Sequence, residues 1–185
     1  PPGDERFLAA ARALGPNLVG VTTHAGHSYC ARSAGQMAEA AGQEAGAVRE
    51  AAELLRRHGL RCDIVSIGSS PTALAGADLS GITEIKAGVF MFWDLFQSGL
   101  GLCRHDDIAI TVLAEVISRS HERNEFLIDA GAFALSKDLS TAALPPELQA
   151  DFGLVCDIDG RELPGLRVKR VWQEHGLVVS DHPLG

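Results

Sequence analysis

The chain has few cysteines, no long hydrophobic run and a deficit of positive charge. Four cysteines are scattered over 185 residues without a C-x-x-C pair, which is typical of reduced thiols and not of a disulfide scaffold. Sixteen Lys and Arg against 24 Asp and Glu give a formal net charge of −8, which argues against nucleic acid or an anionic membrane as a partner. Reduced thiols are typical of the cytosol, so we expect a cytoplasmic protein. The sequence also lacks a membrane-spanning run and a signal-peptide pattern. Hydrophobic residues make up 46% of the chain, enough for a substantial core.

Both ends of the sequence have features of internal positions in a longer polypeptide. The chain begins with Pro1-Pro2-Gly3-Asp4, without a methionine, and ends with Asp181-His182-Pro183-Leu184-Gly185. We therefore expect it to be part of a larger protein.

Strand and helix patterns alternate in the first part of the chain. Helices are predicted over residues 5–14 and 34–58, and buried strands over 18–23, 63–67 and 82–86. This order is typical of a parallel α/β architecture, in which ligands bind at the carboxyl ends of the strands. Polar or glycine-containing clusters follow each of the three strands, at 24–29, 68–72 and 87–90. The pattern therefore predicts a ligand site at one edge of a parallel sheet.

The cluster after the second predicted strand has the composition of a phosphate-binding loop. Gly68 ends the apolar run, and Ser69, Ser70, Pro71 and Thr72 follow it. Backbone N–H groups and hydroxyls in such a loop can hold a phosphate, and glycine lets a ligand approach the backbone. A turn with nothing bound to it is the alternative interpretation, and on this pattern alone it is the commoner case.

The second part of the chain carries strand patterns and no long helix pattern. Apolar, β-branched segments occur at 108–118, 126–128, 152–156 and 166–172, and residues 157–160 have the composition of a hairpin turn. We therefore predict two domains, an α/β domain over residues 1–105 and a mostly β domain over residues 106–185.

Six short motifs occur in the order expected for one enzyme family. They are GHSY at 26–29, GSSPT at 68–72, TEIKAG at 83–88, DIAITVLAEVIS at 107–118, IDAGAFALSKD at 128–138 and QEHG at 173–176. Together they resemble the D-threonine aldolase and D-serine dehydratase family, which are fold-type III pyridoxal-phosphate enzymes related to alanine racemase. The resemblance implies the second half of a (β/α)8 TIM-type barrel followed by a C-terminal mostly β domain.

The resemblance also implies how the cofactor is held. Gly68, Ser69 and Ser70 match the family's phosphate-binding stretch, with Ser70 where threonine is usual. Gly88 and Val89 match a second phosphate-binding element that acts through backbone N–H groups.

Three further residues are candidates for positions near the cofactor ring or for proton transfer. Tyr29, together with His27, is expected beside the ring, where a neutral phenol on the pyridine nitrogen would weaken the ring as an electron sink. His27 and His175 are the candidate catalytic residues. For His175, a supporting hydrogen-bonding role is the alternative.

Two elements of the family pattern are missing from these 185 residues. The lysine that forms the Schiff base lies upstream in the family, and none of Lys86, Lys137 and Lys169 matches it. The family's metal-binding pair comes after the point where this sequence stops, so a divalent metal, zinc or manganese, is expected in the intact protein and no metal ligand is assigned here. His24, His27 and Cys30 offer zinc-ligand atoms, but their spacing is not that of a standard finger.

The function implied by the resemblance is that of a pyridoxal-phosphate lyase acting on small D-β-hydroxy amino acids. Both retro-aldol cleavage and elimination of the β-hydroxyl are consistent with the motifs. An amino-acid racemase of the same fold and a truncated, non-catalytic cofactor-binding relative are the alternatives. A homodimer is expected from the family.

Overall fold

Three parallel strands and a long helix form the first part of the chain. In the computed structural model, which describes residues 5–183, α1 (Glu5–Leu14) is followed by β1 (Gly20–Thr22), α2 (Ala34–Arg57), β2 (Ile64–Ile67), α3 (Ser70–Leu74) and β3 (Glu84–Ile85). The strand order is β1-β2-β3, with Val21 opposite Val65 and Ser66 opposite Glu84. Every predicted helix and strand of this part is present, although the strands are shorter than predicted.

Local sequence signals explain both ends of α2. The Ser33 hydroxyl accepts a hydrogen bond from the Gln36 N–H at 3.2 Å and so caps the first turn. Arg56 and Arg57 occupy the last turn, where cations are favoured, and Gly59 adopts a positive φ of 69° just beyond it.

The core of this part lies between α2 and the sheet. Val48, Leu55 and Val65 are fully buried and belong to one apolar cluster, against which Phe7 and Leu8 of α1 pack. Burial of this kind contributes about 1.5–3 kcal/mol for each large aliphatic side chain. The helix therefore holds the parallel strands, and the loops that follow them, in fixed positions.

An antiparallel sheet dominates the second part of the chain. Its elements are α4 (Leu95–Gly99), β4 (Val116–Ser120), β5 (Glu125–Ile128), α5 (Ala132–Leu135), β6 (Leu154–Cys156), β7 (Glu162–Val171) and β8 (Gly176–Ser180). The strand order is β4-β5-β8-β7-β6. The predicted hairpin turn after β6 is confirmed, since β6 pairs antiparallel with β7 and the Gly160 N–H donates to the Asp157 carbonyl.

One strand prediction in this part needs correction, and one strand was missed. The segment 108–118 was expected to be one strand, but the strand begins only at Val116 and extends to Ser120. Leu113 is 84% exposed, and no strand among residues 5–183 pairs with 108–115. The central strand β8 had not been predicted at all.

The two parts are compact units that divide in sequence between Met91 and Phe92. Within residues 5–183, no helix is long and apolar enough to cross a membrane.

Candidate functional site

A pocket of about 440 Å³ opens where the three parallel strands end. The segments after β1, β2 and β3 line it with His24, Tyr29, Ser69, Ser70, Lys86, Ala87, Gly88 and Val89. Five residues predicted to bind the cofactor, Tyr29, Ser69, Ser70, Gly88 and Val89, thus lie around one cavity. Carboxyl ends of parallel strands meet at one edge of a sheet, and this explains why motifs so far apart in sequence converge.

Gly68 brings the second and third strand ends together. A Cβ at this position would overlap the Lys86 carbonyl oxygen and lie 2.9 Å from the Lys86 Cβ. The Lys86 N–H donates to the Ile67 carbonyl at 2.7 Å, so the chain after β3 runs directly alongside Gly68. Glycine is required here because the two backbones approach too closely for a side chain.

The Ser69 hydroxyl is fully engaged with protein groups. It accepts a hydrogen bond from the Thr72 N–H at 3.3 Å and caps α3. It also lies 3.0 Å from the Ser28 Oγ and 2.7 Å from the Thr72 Oγ1. This side chain is 2% exposed, and its contacts stabilise the loop after β2.

The Ser70 hydroxyl, in contrast, has no partner within the described structure. Ser70 is also 2% exposed, and its Oγ is buried without a hydrogen bond. A buried hydroxyl left unpaired costs about 1–3 kcal/mol. Because Ser70 lines the pocket, a polar ligand there could accept its hydrogen bond.

Sequence reasoning missed the residue that organises this edge, Glu44 of α2. Its Oε1 accepts hydrogen bonds from the Thr23 hydroxyl at 2.9 Å and from the N–H groups of Ala25 and Gly68, each at 3.1 Å. Its Oε2 accepts one from the Thr72 hydroxyl at 2.6 Å. The side chain therefore joins the loops after β1 and β2, and the Gly68 N–H faces this carboxylate.

Glu44 is 4% exposed, yet its environment favours the charged form. Burial raises the pKa of this carboxyl. The hydrogen bonds from Thr72, Gly68, Thr23 and Ala25 lower the pKa by more than burial raises it, so the pKa is below its usual value. The carboxylate is therefore ionised at neutral pH and acts only as an acceptor.

The two candidate catalytic histidines lie outside this pocket lining. His27 is exposed and borders a separate hollow of about 250 Å³, together with Cys30, Gln36 and Glu39 among others. His175 is exposed at the turn between β7 and β8, in the second unit, where its carbonyl accepts from the Trp172 N–H at 2.8 Å. Their catalytic roles stay predictions.

Tyr29 lies at the pocket, with its ring 6.0 Å from that of His24 and tilted by 33°. Across residues 5–183, no group of three or more His, Cys, Asp or Glu side chains is arranged to hold a metal ion.

Comparison with known proteins identifies the class to which this fold and pocket belong. Residues 4–95 match the model for the alanine racemase N-terminal domain, and residues 109–184 match the model described as "Putative serine dehydratase domain". The fold is thus alanine racemase-like, with helices and two sheets.

Individual relatives agree with both family models. The chain is 41% identical to D-threo-3-hydroxyaspartate dehydratase of Delftia sp. over 176 residues, which cover 94% of this chain and 46% of that protein. It is 40% identical to D-serine dehydratase of Dictyostelium discoideum over 123 residues, 64% of this chain and 31% of that protein. The crystal structure of an alanine racemase-like protein from Idiomarina loihiensis superposes with a TM-score of 0.88 at 41% identity, covering 96% of this chain and 47% of that one.

The chain belongs to the D-serine dehydratase and D-threonine aldolase family, which is related to alanine racemase. It spans less than half the length of each of these relatives.

Proposed function

We propose that this chain supplies the phosphate-binding edge of a pyridoxal-phosphate-dependent lyase that acts on D-β-hydroxy amino acids. The observation that carries the proposal is that Ser70, which lines a pocket formed by the ends of three parallel strands, has a buried hydroxyl with no hydrogen-bond partner among residues 5–183. Ser69, Gly88 and Val89 line the same pocket, as the resemblance implied for a phosphate group.

The residues present fit pyridoxal phosphate. The Ser70 hydroxyl and the backbone N–H groups of Gly88 and Val89 would hold the phosphate, and Tyr29 would lie beside the pyridine ring. The cofactor would supply an electron sink for negative charge at the substrate Cα. A phenol at the ring nitrogen would keep that sink weaker than a carboxylate partner would. His27 and His175 are proposed as proton-transfer groups, and this proposal is supported only by the sequence motifs.

Elimination is favoured over retro-aldol cleavage by the names of the relatives. The two curated relatives described above are dehydratases, whereas the D-threonine aldolases among the similar proteins are more distant. We therefore propose that the whole protein removes the β-hydroxyl of its substrate and releases a keto acid and ammonia. Retro-aldol cleavage to glycine and an aldehyde is the second candidate.

Several properties of the whole protein are proposed with this function. The first unit would be the second half of a (β/α)8 barrel, and the second would be a C-terminal β domain, divided near residues 105 and 106. The family models support that division, since one ends at residue 95 and the other begins at residue 109, although the compact units divide earlier, after Met91. A homodimer, a cytoplasmic location and a small D-amino acid substrate are proposed from the family.

A divalent metal, zinc or manganese, is proposed to polarise the β-hydroxyl of the substrate. One solved structure is described as a D-threo-3-hydroxyaspartate dehydratase mutant in the metal-free form, which supports metal binding in that enzyme. The ligands in the present protein would come from outside these 185 residues, as would the lysine that binds the cofactor.

Borohydride reduction of the protein purified from its source, followed by peptide mapping, tests the cofactor proposal. We expect a phosphopyridoxyl group on a lysine outside this segment. A modified Lys86, Lys137 or Lys169 would show that the active site is wrongly assigned. No adduct after addition of the cofactor would favour the non-catalytic relative.

Product analysis separates the reactions. The purified protein is incubated with D-serine, D-threonine and D-alanine in parallel, and keto acid, aldehyde and L-alanine are measured. Keto acid from D-serine is expected for the dehydratase, glycine and acetaldehyde from D-threonine would indicate the aldolase, and L-alanine from D-alanine would indicate a racemase.

A further inference from the structure

Three hydroxyl groups beneath the pocket form a hydrogen-bonded series that ends at a buried carboxylate. Ser28 Oγ lies 3.0 Å from Ser69 Oγ, Ser69 Oγ lies 2.7 Å from Thr72 Oγ1, and Thr72 Oγ1 lies 2.6 Å from Glu44 Oε2. The four residues are between 0% and 4% exposed. Bulk water therefore does not compete for these bonds.

The ionised carboxylate fixes the direction of every bond in the series. Each hydroxyl has a single proton, and an ionised carboxylate can only accept. Thr72 donates its proton to Glu44, so the contact between Thr72 and Ser69 requires Ser69 to be the donor. Ser69 has then used its proton, and Ser28 must donate to Ser69. The order is Ser28 to Ser69 to Thr72 to Glu44.

This order distinguishes the two serines that line the pocket. The Ser69 hydroxyl has no proton left for a ligand, because it donates to Thr72. The Ser70 hydroxyl is buried and makes no hydrogen bond to residues 5–183, and Ser70 lines the pocket, so its proton is left for an acceptor there. The two neighbouring serines therefore have different tasks, support of the loop and contact with the ligand.

Glu44 also fixes the backbone from which Ser70 projects. Its Oε1 accepts from the N–H groups of Ala25 and Gly68, one in the loop after β1 and one in the loop after β2. The position of the Gly68 turn, and so of Ser70, depends on this carboxylate.

We propose that Glu44 is a positioning residue for the phosphate of the cofactor, acting through Gly68, Thr72 and Ser69 so that Ser70 alone of the two serine hydroxyls donates to that phosphate. The proposal rests on the proposed function, since it assumes pyridoxal phosphate in the pocket. Glu44 is not among the residues lining the pocket.

The test compares binding of pyridoxal phosphate with binding of pyridoxal, which lacks the phosphate, in the full-length protein. Glu44→Gln keeps the shape of the side chain, but its amide can donate to Thr72 and so reverse the order of the hydroxyl protons. Thr72→Val removes the hydroxyl, and Thr72→Ser keeps it. Glu53→Gln changes an exposed glutamate on the same helix and serves as the matched control.

We expect Glu44→Gln to weaken binding of pyridoxal phosphate about tenfold relative to pyridoxal, the scale of one hydrogen bond to a charged group. The ³¹P resonance of the bound cofactor should shift as well. Thr72→Val removes the group to which Ser69 donates and should change both readouts, whereas Thr72→Ser and Glu53→Gln should stay within about twofold of the unmodified protein.

A folded Glu44→Gln protein with equal losses for both ligands, or with no loss, would overturn the proposal. If the Glu44→Gln protein does not fold, the two Thr72 variants are compared instead. Identical phosphate selectivity in Thr72→Val and Thr72→Ser would overturn the proposal. An unmodified protein that binds no pyridoxal phosphate and yields no borohydride adduct would instead overturn the proposed function.

Discussion

At the scale of single residues, the site depends on how a buried charge is paired. Glu44 meets two hydroxyl donors and two backbone donors, and none of these four groups carries a charge. Hydrogen bonds to an ionised group are stronger than those between neutral groups, which is how the carboxylate stays charged inside the protein. Removing that charge should therefore disturb two loops at once.

The contribution of Glu44 to stability should depend on pH. Its pKa is lowered in the folded protein, so the stabilisation is fully present above the unfolded-state value, about 4.3, and is lost as the pH falls through the lower folded-state value. We expect the free energy of unfolding of the unmodified protein to exceed that of Glu44→Gln at neutral pH. This difference should shrink in urea titrations as the pH falls below that unfolded-state value. A difference that stays constant over this range would contradict the pairing described here.

Gly68→Ala should destabilise the first unit and weaken cofactor binding. The added methyl would overlap the Lys86 carbonyl oxygen, and overpacking of this kind costs about 1–3 kcal/mol. Gly26→Ala is the control, because the nearest atom to its added Cβ is 4.0 Å away. Thermal unfolding of both variants checks the prediction, and equal midpoints would refute it.

The sequence could predict that the loop after β2 lies at a pocket, but it could not predict what supports this loop. Glycine and hydroxyl residues after an apolar run identify the loop, and Ser69, Ser70 and Gly88 do lie at the pocket. Glu44 was overlooked because glutamate is usually solvated, although it stands among Ala40, Ala41 and Val48 on the buried stripe of α2. The sequence signal that could have identified Glu44 is a charged residue at a position where the helical spacing predicts an apolar one. The different tasks of Ser69 and Ser70 depend on contacts across the chain that no local pattern records.

At the scale of elements, the long helix α2 offers a direct test of local stability. Gly42 lies on its exposed side, and a Cβ there would meet no atom within 4 Å. Glycine inside a helix is less favourable than alanine by about 0.5–1 kcal/mol. Gly42→Ala should therefore raise the urea midpoint without changing cofactor affinity, and a lower midpoint would contradict the helix assignment.

The two predicted helices of the first unit were confirmed because their apolar residues recur with helical spacing, and Ser33 also caps the start of α2. Strands of the second unit were harder to predict. β-branched residues at 108–115 favour a strand, but strand preference reflects packing on a pleated surface, and Ile110 and Leu113 are exposed. The short strand β8 lies between β5 and β7. Whether such a segment forms a strand depends on its pairing with strands that are distant in sequence, and a local sequence pattern carries no information about that pairing.

At the scale of the whole molecule, the proposed activity depends on a metal whose ligands are proposed to lie outside these 185 residues. If a divalent metal polarises the substrate hydroxyl, a chelator should abolish elimination from D-serine while the visible absorbance of the bound cofactor remains. Added zinc or manganese should restore turnover. Full activity in protein shown by elemental analysis to be metal-free would exclude this role of the metal.

The position of Glu44 between two strand ends also has a consequence for how the chain folds. Its backbone donors Ala25 and Gly68 lie 19 residues before it and 24 residues after it. A partly folded state with α2 docked and either loop open would bury a charge that lacks its donors, and such states are costly. β1, α2 and β2 should therefore open and close as one cooperative unit. The amide protons of Ala25 and Gly68 should then exchange with solvent at the same free energy, although they lie in different loops.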